Sequence, residues 1–128
     1  MKNRLAILFL VLLAAAASSA CVFFWLATQT PRPELVFDPT ALPDGQLGVT
    51  YEAEVHVSQN VTPVGEFYLV EGTLPPGLEL VQWEGENAVR ITGAPAEAGT
   101  YSFILGVWCY GTSVNGQMGT QEYSLVIE

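Results

Sequence analysis

After about residue 30, apolar and polar residues alternate with a period of two. The clearest run is Tyr51-Glu52-Ala53-Glu54-Val55-His56-Val57. It sets Tyr51, Ala53, Val55 and Val57 on one side and Glu52, Glu54 and His56 on the other. That pattern predicts a strand with one buried face, so His56 is expected to face solvent. Tyr101 to Tyr110 repeats it, with Tyr101, Phe103, Leu105, Val107 and Cys109 facing one way and Ile104, Trp108 and Tyr110 the other. Shorter apolar runs at 35–37, 65–70, 81–83, 88–92 and 123–127 bring the total to about seven strands. No helix-period segment occurs after residue 30.

Proline and glycine punctuate these runs. Leu42-Pro43-Asp44-Gly45, Leu74-Pro75-Pro76-Gly77-Leu78 and Gly93-Ala94-Pro95 each stop a strand. Proline cannot donate to a ladder and glycine accepts positive φ, which suits both to turns. A hairpin is expected around Gly85-Glu86-Asn87. A polar, glycine-rich loop with a turn at Asn115-Gly116 is expected over 111–120. The stretch from Leu74 to Phe103, with three turn clusters at sandwich spacing, organises the rest. Short strands separated by turn signals every 8–12 residues predict an all-β antiparallel sandwich over residues 35–128.

The N-terminus follows another rule. Residues 1–4 carry Lys2 and Arg4, and the next 23 residues, Leu5 to Ala27, carry no charge. At about 1.5 Å per residue such a run can cross a hydrocarbon core of roughly 30 Å. The basic tip before it and the acidic chain after it predict a single-pass anchor, with the C-terminal domain outside the cytoplasm. Phe23, Phe24 and Trp25 suit the outer interface of that span. Two other readings use the same residues. Ser18-Ser19-Ala20 before Cys21 resembles a lipoprotein signal, in which Cys21 becomes the lipidated first residue. A signal peptidase could also cut after Ala20 and release the domain. Residues 28–34, with Pro31 and Pro33, form a short extended linker.

Charge narrows the partners. All thirteen acidic residues follow residue 33, and only Arg32 and Arg90 oppose them, so residues 28–128 carry a net −11. Phosphate-rich partners are repelled, which argues against nucleic acid. Cys21 and Cys109 stand in different kinds of segment, so no disulfide framework is expected. Cys109 should be a small buried hydrophobe. The single histidine and the absence of metal-ligand spacing predict neither metal nor cofactor. No nucleophile elbow, phosphate loop or serine–histidine–aspartate set is present, and Glu52 and Glu54 share an open strand face that cannot split their pKa values. Asn60-Val61-Thr62 matches a glycosylation sequon.

Residues 42–127 resemble the immunoglobulin-like repeats of bacterial surface proteins, related to cadherin-like and dystroglycan-type domains. The matching pieces are Leu42-Pro43-x-Gly45 with Gly48-x-x-Tyr51, then Gly72-x-Leu74-Pro75-Pro76-Gly77-Leu78-x-Leu80, then Ile91-x-Gly93-x-Pro95 with Ala98-Gly99-Thr100-Tyr101. The resemblance implies an adhesion or spacer module and no enzyme. Calcium-binding relatives place an acidic residue shortly after the penultimate strand. This chain reads Trp108-Cys109-Tyr110-Gly111 there, so calcium is not expected.

If the facing is right, Tyr68, Ile104, Trp108, Tyr110 and Val126 gather on the outer side of one sheet. Clustered exposed aromatics mark protein contacts. The expected function is a non-enzymatic, membrane-anchored accessory or scaffold subunit that binds a protein partner. The alternative is an envelope lipoprotein, lipidated at Cys21, that binds a carbohydrate or other surface ligand.

Overall fold

Where the residues alternate, strands form. A computed structural model describes residues 32–111 and 116–128, together with Arg4, Ala6 and Ile7. The predicted membrane segment 5–27, including Cys21, lies outside the described residues apart from Ala6 and Ile7, and Asn115 lies outside them too. Among the described residues no helix is long and apolar enough to cross a membrane. Arg32–Glu128 forms a compact unit of its own.

This unit holds β1 (Val36–Asp38), β2 (Tyr51–Ser58), β3 (Val64–Gly72), β4 (Leu78–Val81), β5 (Ala88–Gly93), β6 (Gly99–Cys109) and β7 (Met118–Ile127). One sheet has the order β1-β2-β5-β4 and the other β3-β6-β7, and every strand pair is antiparallel. The inward residues of both sheets make one core. Val55, Ile91, Leu105, Val107 and Leu125 are wholly buried there. Phe103 and Tyr123 lie side by side with ring centroids 5.9 Å apart. Cys109 is buried and free, and burial pushes its thiol pKa up. The period of two therefore predicted which residues enter the core.

The chain changes sheets early. β1 pairs with β2, and then Gly45 bridges Ile127 of β7 in parallel. Two phenols hold this crossing. The Tyr123 hydroxyl donates to the Pro39 carbonyl at 2.8 Å, and the Tyr51 hydroxyl to the Pro43 carbonyl at 2.9 Å. Burial, aided by Asp38 for Tyr123 and Asp44 for Tyr51, pushes both phenols up to about 12.

The proline-glycine turns meet in space. Ala96 N–H donates to the Pro76 carbonyl at 2.8 Å, and Pro75 and Pro95 are both fully buried. Gly77 has φ +93°, and a Cβ there would strike the Ala94 carbonyl, so only glycine lets the turns close this tightly.

Two boundaries differ from expectation. The hairpin strand β4 is Leu78–Val81, which leaves Trp83 in the loop. The reason is Gln82, whose Oε1 accepts from Phe67 N–H at 2.9 Å and draws the chain away from β5 toward the edge of β3. The loop expected to reach residue 120 gives way to β7 at Met118. Gln117 is buried there. Its Oε1 accepts from Val61 N–H at 2.8 Å, and its Nε2 donates to the carbonyls of Pro33 (2.8 Å) and Gln59 (3.1 Å). Three groups from two distant segments are tied by one side chain, which fixes where β7 begins.

Candidate interaction face

On β6 the outward residues are Ile104, Gly106, Trp108 and, just beyond the strand, Tyr110. Gly106 is buried because Tyr68 and Val70 of β3 lie across it. A Cβ at residue 106 would come within 2.7 Å of Val70 Cγ2 and 2.9 Å of the Tyr68 ring. Tyr68 is paired directly with Gly106 in register. One step along, a bulge between Val64 and Glu66 inserts Gly65, and the Trp108 indole covers it; a Cβ at residue 65 would overlap the ring. The face is thus built from two glycines, each roofed by an aromatic ring from the next strand. Such cross-strand covering holds ring and ladder together. Trp108 also meets Tyr110 edge to face, with centroids 4.9 Å apart and planes at 76°.

The structure brings Tyr68, Ile104, Trp108 and Tyr110 onto one face, as the alternation predicts. Val126 shares that side but pairs with Thr100, eight residues along β7 from the Trp108–Met118 pair. At about 3.4 Å per residue this puts it near 27 Å from the indole, outside the cluster. Two members were missed. Val70 is 49% exposed and Met118 is 71% exposed. Met118 falls in the stretch expected to be loop but begins β7, and Val70 joins the patch because Gly106 lies beneath it. An open depression of about 650 Å³ is lined by Trp108, Cys109, Gly111, Gly116 and Met118. Ile104 stands in register between Glu71 and Glu122, and these three help line a smaller hollow of about 250 Å³.

The outer side of the four-stranded sheet is different. Glu54 accepts from Arg90 Nε on the neighbouring strand, and His56 Nε2 lies 2.7 Å from its other oxygen. The Arg90 hydrogen bond, more than any other influence, holds the Glu54 carboxyl below its ordinary range. Arg90 also sits 4.3 Å above the Trp83 ring, a cation–π contact. His56 is exposed as expected, and this open strand face gives it no pocket. Among the described residues no group of three or more His, Cys, Asp or Glu could hold a metal ion. Asn60 uses its amide to bond Thr62 O and Asn87 Oδ1.

No family model matches this chain, and no curated protein matches it. Solved structures do. An endo-fucoidan hydrolase of glycoside hydrolase family 107 aligns with a TM-score of 0.57 at 17% identity, over 79% of this chain and 14% of that one. The SrpA adhesin of Streptococcus sanguinis aligns at 0.55 and 11% identity, over 77% and 60% respectively. The titin M3 domain aligns at 0.50 and 17% identity, over 73% and 96%. The chain therefore spans only a small part of the hydrolase and nearly the whole of the titin domain. Identities this low establish the fold alone, which is an immunoglobulin-like β-sandwich.

Proposed function

We propose that this chain is a non-enzymatic, extracytoplasmic immunoglobulin-like module, anchored to a membrane through residues 5–27 and acting as an accessory or scaffold subunit for a protein partner. The observation that carries the reading is the apolar outer face of the three-stranded sheet, centred on Tyr68, Val70 and Ile104 and bordered by Trp108. On this face Val70 is 49% exposed and the Tyr68 and Trp108 rings lie over glycines, with Glu66, in register with Trp108, and Glu71 and Glu122, beside Ile104, at its margins. Exposed apolar patches of this kind are where partners bury surface. Kinship with the bacterial surface repeats is supported by the paired Leu74–Leu78 and Gly93–Pro95 turns, whose contact explains why both motifs occur in one chain. With no converging titratable set, the face offers contact area rather than chemistry.

The test is recovery of partners with the intact chain from its native membranes in mild detergent. Val70→Glu puts a charge on the face without touching the core. It should abolish recovery of the partner while leaving the melting temperature within a degree or two, as expected for an exposed site. Equal recovery by both proteins would remove this face from consideration. Intact mass settles the form of the anchor: lipidation at Cys21 removes residues 1–20 and adds acyl mass, whereas a spanning helix leaves the chain whole.

A further inference from the structure

A sheet that does not close has edges, and an edge strand carries backbone donors and acceptors that nothing satisfies unless another segment covers them. Among the described residues the sandwich has four edge strands: β1 and β4 in one sheet, β3 and β7 in the other. Three are blunted. β1 spans only Val36–Asp38 and runs into Pro39. β4 spans only Leu78–Val81 and closely follows Pro75 and Pro76. β3 is interrupted by two register shifts, and Gln82 occupies its edge by accepting from Phe67 N–H. Short strands, prolines and bulges are the usual means of stopping a sheet from growing.

β7 has none of these devices. Its register with β6 is unbroken from Trp108↔Met118 to Gly99↔Ile127. Met118–Ile127 contains no proline and no basic residue. The bonds at its two ends fix which way its peptide groups point. Gln117 O accepts from Cys109 N–H at 2.8 Å, and Val126 O accepts from Gly45 N–H at 2.8 Å. Odd-numbered residues of β7 therefore bond to β6, while Met118, Thr120, Glu122, Ser124 and Val126 aim N–H and C=O away from it. Gly45 and Leu47 cover that edge only at Val126 and Glu128. Among the described residues, no backbone group pairs with the outer side of Met118, Thr120, Glu122 or Ser124. The Gln121 side-chain amide rests on the Glu122 carbonyl at 3.1 Å, an exposed bond that a strand can displace.

The surroundings of this edge are acidic and leave room. The segment 33–35 passes the start of β7, where the Gln117 amide holds the Pro33 carbonyl, but makes no backbone bond to the edge. Glu34, Leu35, Met118, Gly119 and Thr120 line an open hollow of about 280 Å³ there. Glu34 and Glu122 are both exposed, and among the described residues neither has an ion-pair partner. Arg32 is the only basic residue of the neighbouring segment and is partly buried.

We propose that the open edge of β7, from Met118 to Ser124, takes up an extended segment of another protein, alternately basic and apolar, as a further antiparallel strand of the β3-β6-β7 sheet. Backbone bonds to Thr120, Glu122 and Ser124 supply the affinity, and alternate side chains supply the selectivity. On the outer side, a lysine or arginine opposite Glu122 pairs with its carboxylate. On the inner side, the apolar residues lie beside Leu35, which already crowds Gly119: a Cβ there would stand 3.1 Å from Leu35 Cβ. A second copy of this chain does not fit. Pairing two β7 edges would draw the two Glu122 side chains together and set two domains of net −11 over residues 28–128 side by side. Glu122 thus turns away the chain's own kind and admits a basic strand. The edge is separate from the apolar face around Val70, and the proposal depends on neither that face nor the anchor.

The experiment adds a short synthetic peptide of alternating lysine and valine to the full chain in mild detergent and reads amide exchange by nuclear magnetic resonance. Exchange at Thr120, Glu122 and Ser124 should be fast in the chain alone and slow by about tenfold or more with the peptide. Methylating the lysine backbone nitrogens, which face β7 when lysine stands opposite Glu122, should abolish the effect; methylating the valine nitrogens, which face solvent, should not. A peptide with glutamate in place of lysine should have no effect. Glu122→Lys should weaken binding of the lysine peptide by about tenfold. Thr120→Pro removes one outward donor, leaves the β6 ladder intact, and should also weaken it. Val70→Glu should change nothing. Protection that survives methylation of the lysine nitrogens, or that the glutamate peptide produces equally, overturns the proposal. Loss of protection in Val70→Glu overturns it as well, by assigning the peptide to the apolar face. Slow exchange at these amides without peptide means the edge is already covered, and has the same consequence.

Discussion

The two outer surfaces of this sandwich solve the same problem in opposite ways. On the four-stranded sheet, charges answer one another: Glu54 takes both Arg90 and His56, and Arg90 covers Trp83. On the three-stranded sheet, rings answer glycines: Tyr68 covers Gly106 and Trp108 covers Gly65. The first surface is polar and wet, with the charges at its centre paired. The second is well packed against its own backbone yet still presents apolar area to its surroundings. What separates them is the side chain opposite each strand position. An arginine opposite a glutamate satisfies both, while a glycine opposite an aromatic leaves one face of the ring bare.

Alkali should give the largest response and set the scale for both sheets. Tyr51 belongs to one sheet and Tyr123 to the other, and each donates a neutral phenol to a carbonyl of the crossing segment. Their pKa values are raised from 10.0 to about 12 in the folded chain. The stability these phenols contribute is whole below pH 10 and is lost as pH rises from 10 toward 12. A thermal-melt series should show a steep fall above pH 10, and Tyr123→Phe should shift that fall upward. A flat profile to pH 12 would mean the phenols are not held as described.

Gly106→Val comes next. Its side chain must displace Tyr68 and Val70, at a cost of about 1–3 kcal/mol by urea unfolding. The matching change on the charged sheet, Thr92→Val, should stay within about 0.5 kcal/mol. Equal losses would erase the distinction between the two surfaces. Trp108→Ala uncovers Gly65 but spares the core, so the domain should still fold, with a loss of about 1–2 kcal/mol for a half-buried ring. Outright unfolding would show that the indole belongs to the core. Glu54→Gln should have the smallest effect. Exposed ion pairs contribute about 0–1 kcal/mol, and salt should shrink the difference further.

The carbohydrate alternative differs from the protein reading at the same tryptophan. A saccharide ligand would stack on Trp108 and Tyr110 beside the open depression, so Tyr110→Ala would weaken it while Val70→Glu would not. Protein recovery should show the reverse order.

The amino-acid sequence by itself determined the strands, the inward set and the turns, because these depend on period two, on proline and on glycine, all of which act within a few residues. It also determined that Ile104, Trp108 and Tyr110 share one side of β6. Tertiary structure decided the rest. Gly65 and Gly106 acquire meaning only when register and a bulge set Trp108 and Tyr68 over them. Val70 joins the face, and Val126 falls far from it, through strand pairing that no local pattern encodes. Gln117 and Gln82, polar residues in loops, place β7 and the β4–β5 loop, since their partners lie as far as 84 and 17 residues away along the chain. Local sterics are written into neighbouring residues, whereas a contact between distant segments exists only once the chain has closed on itself.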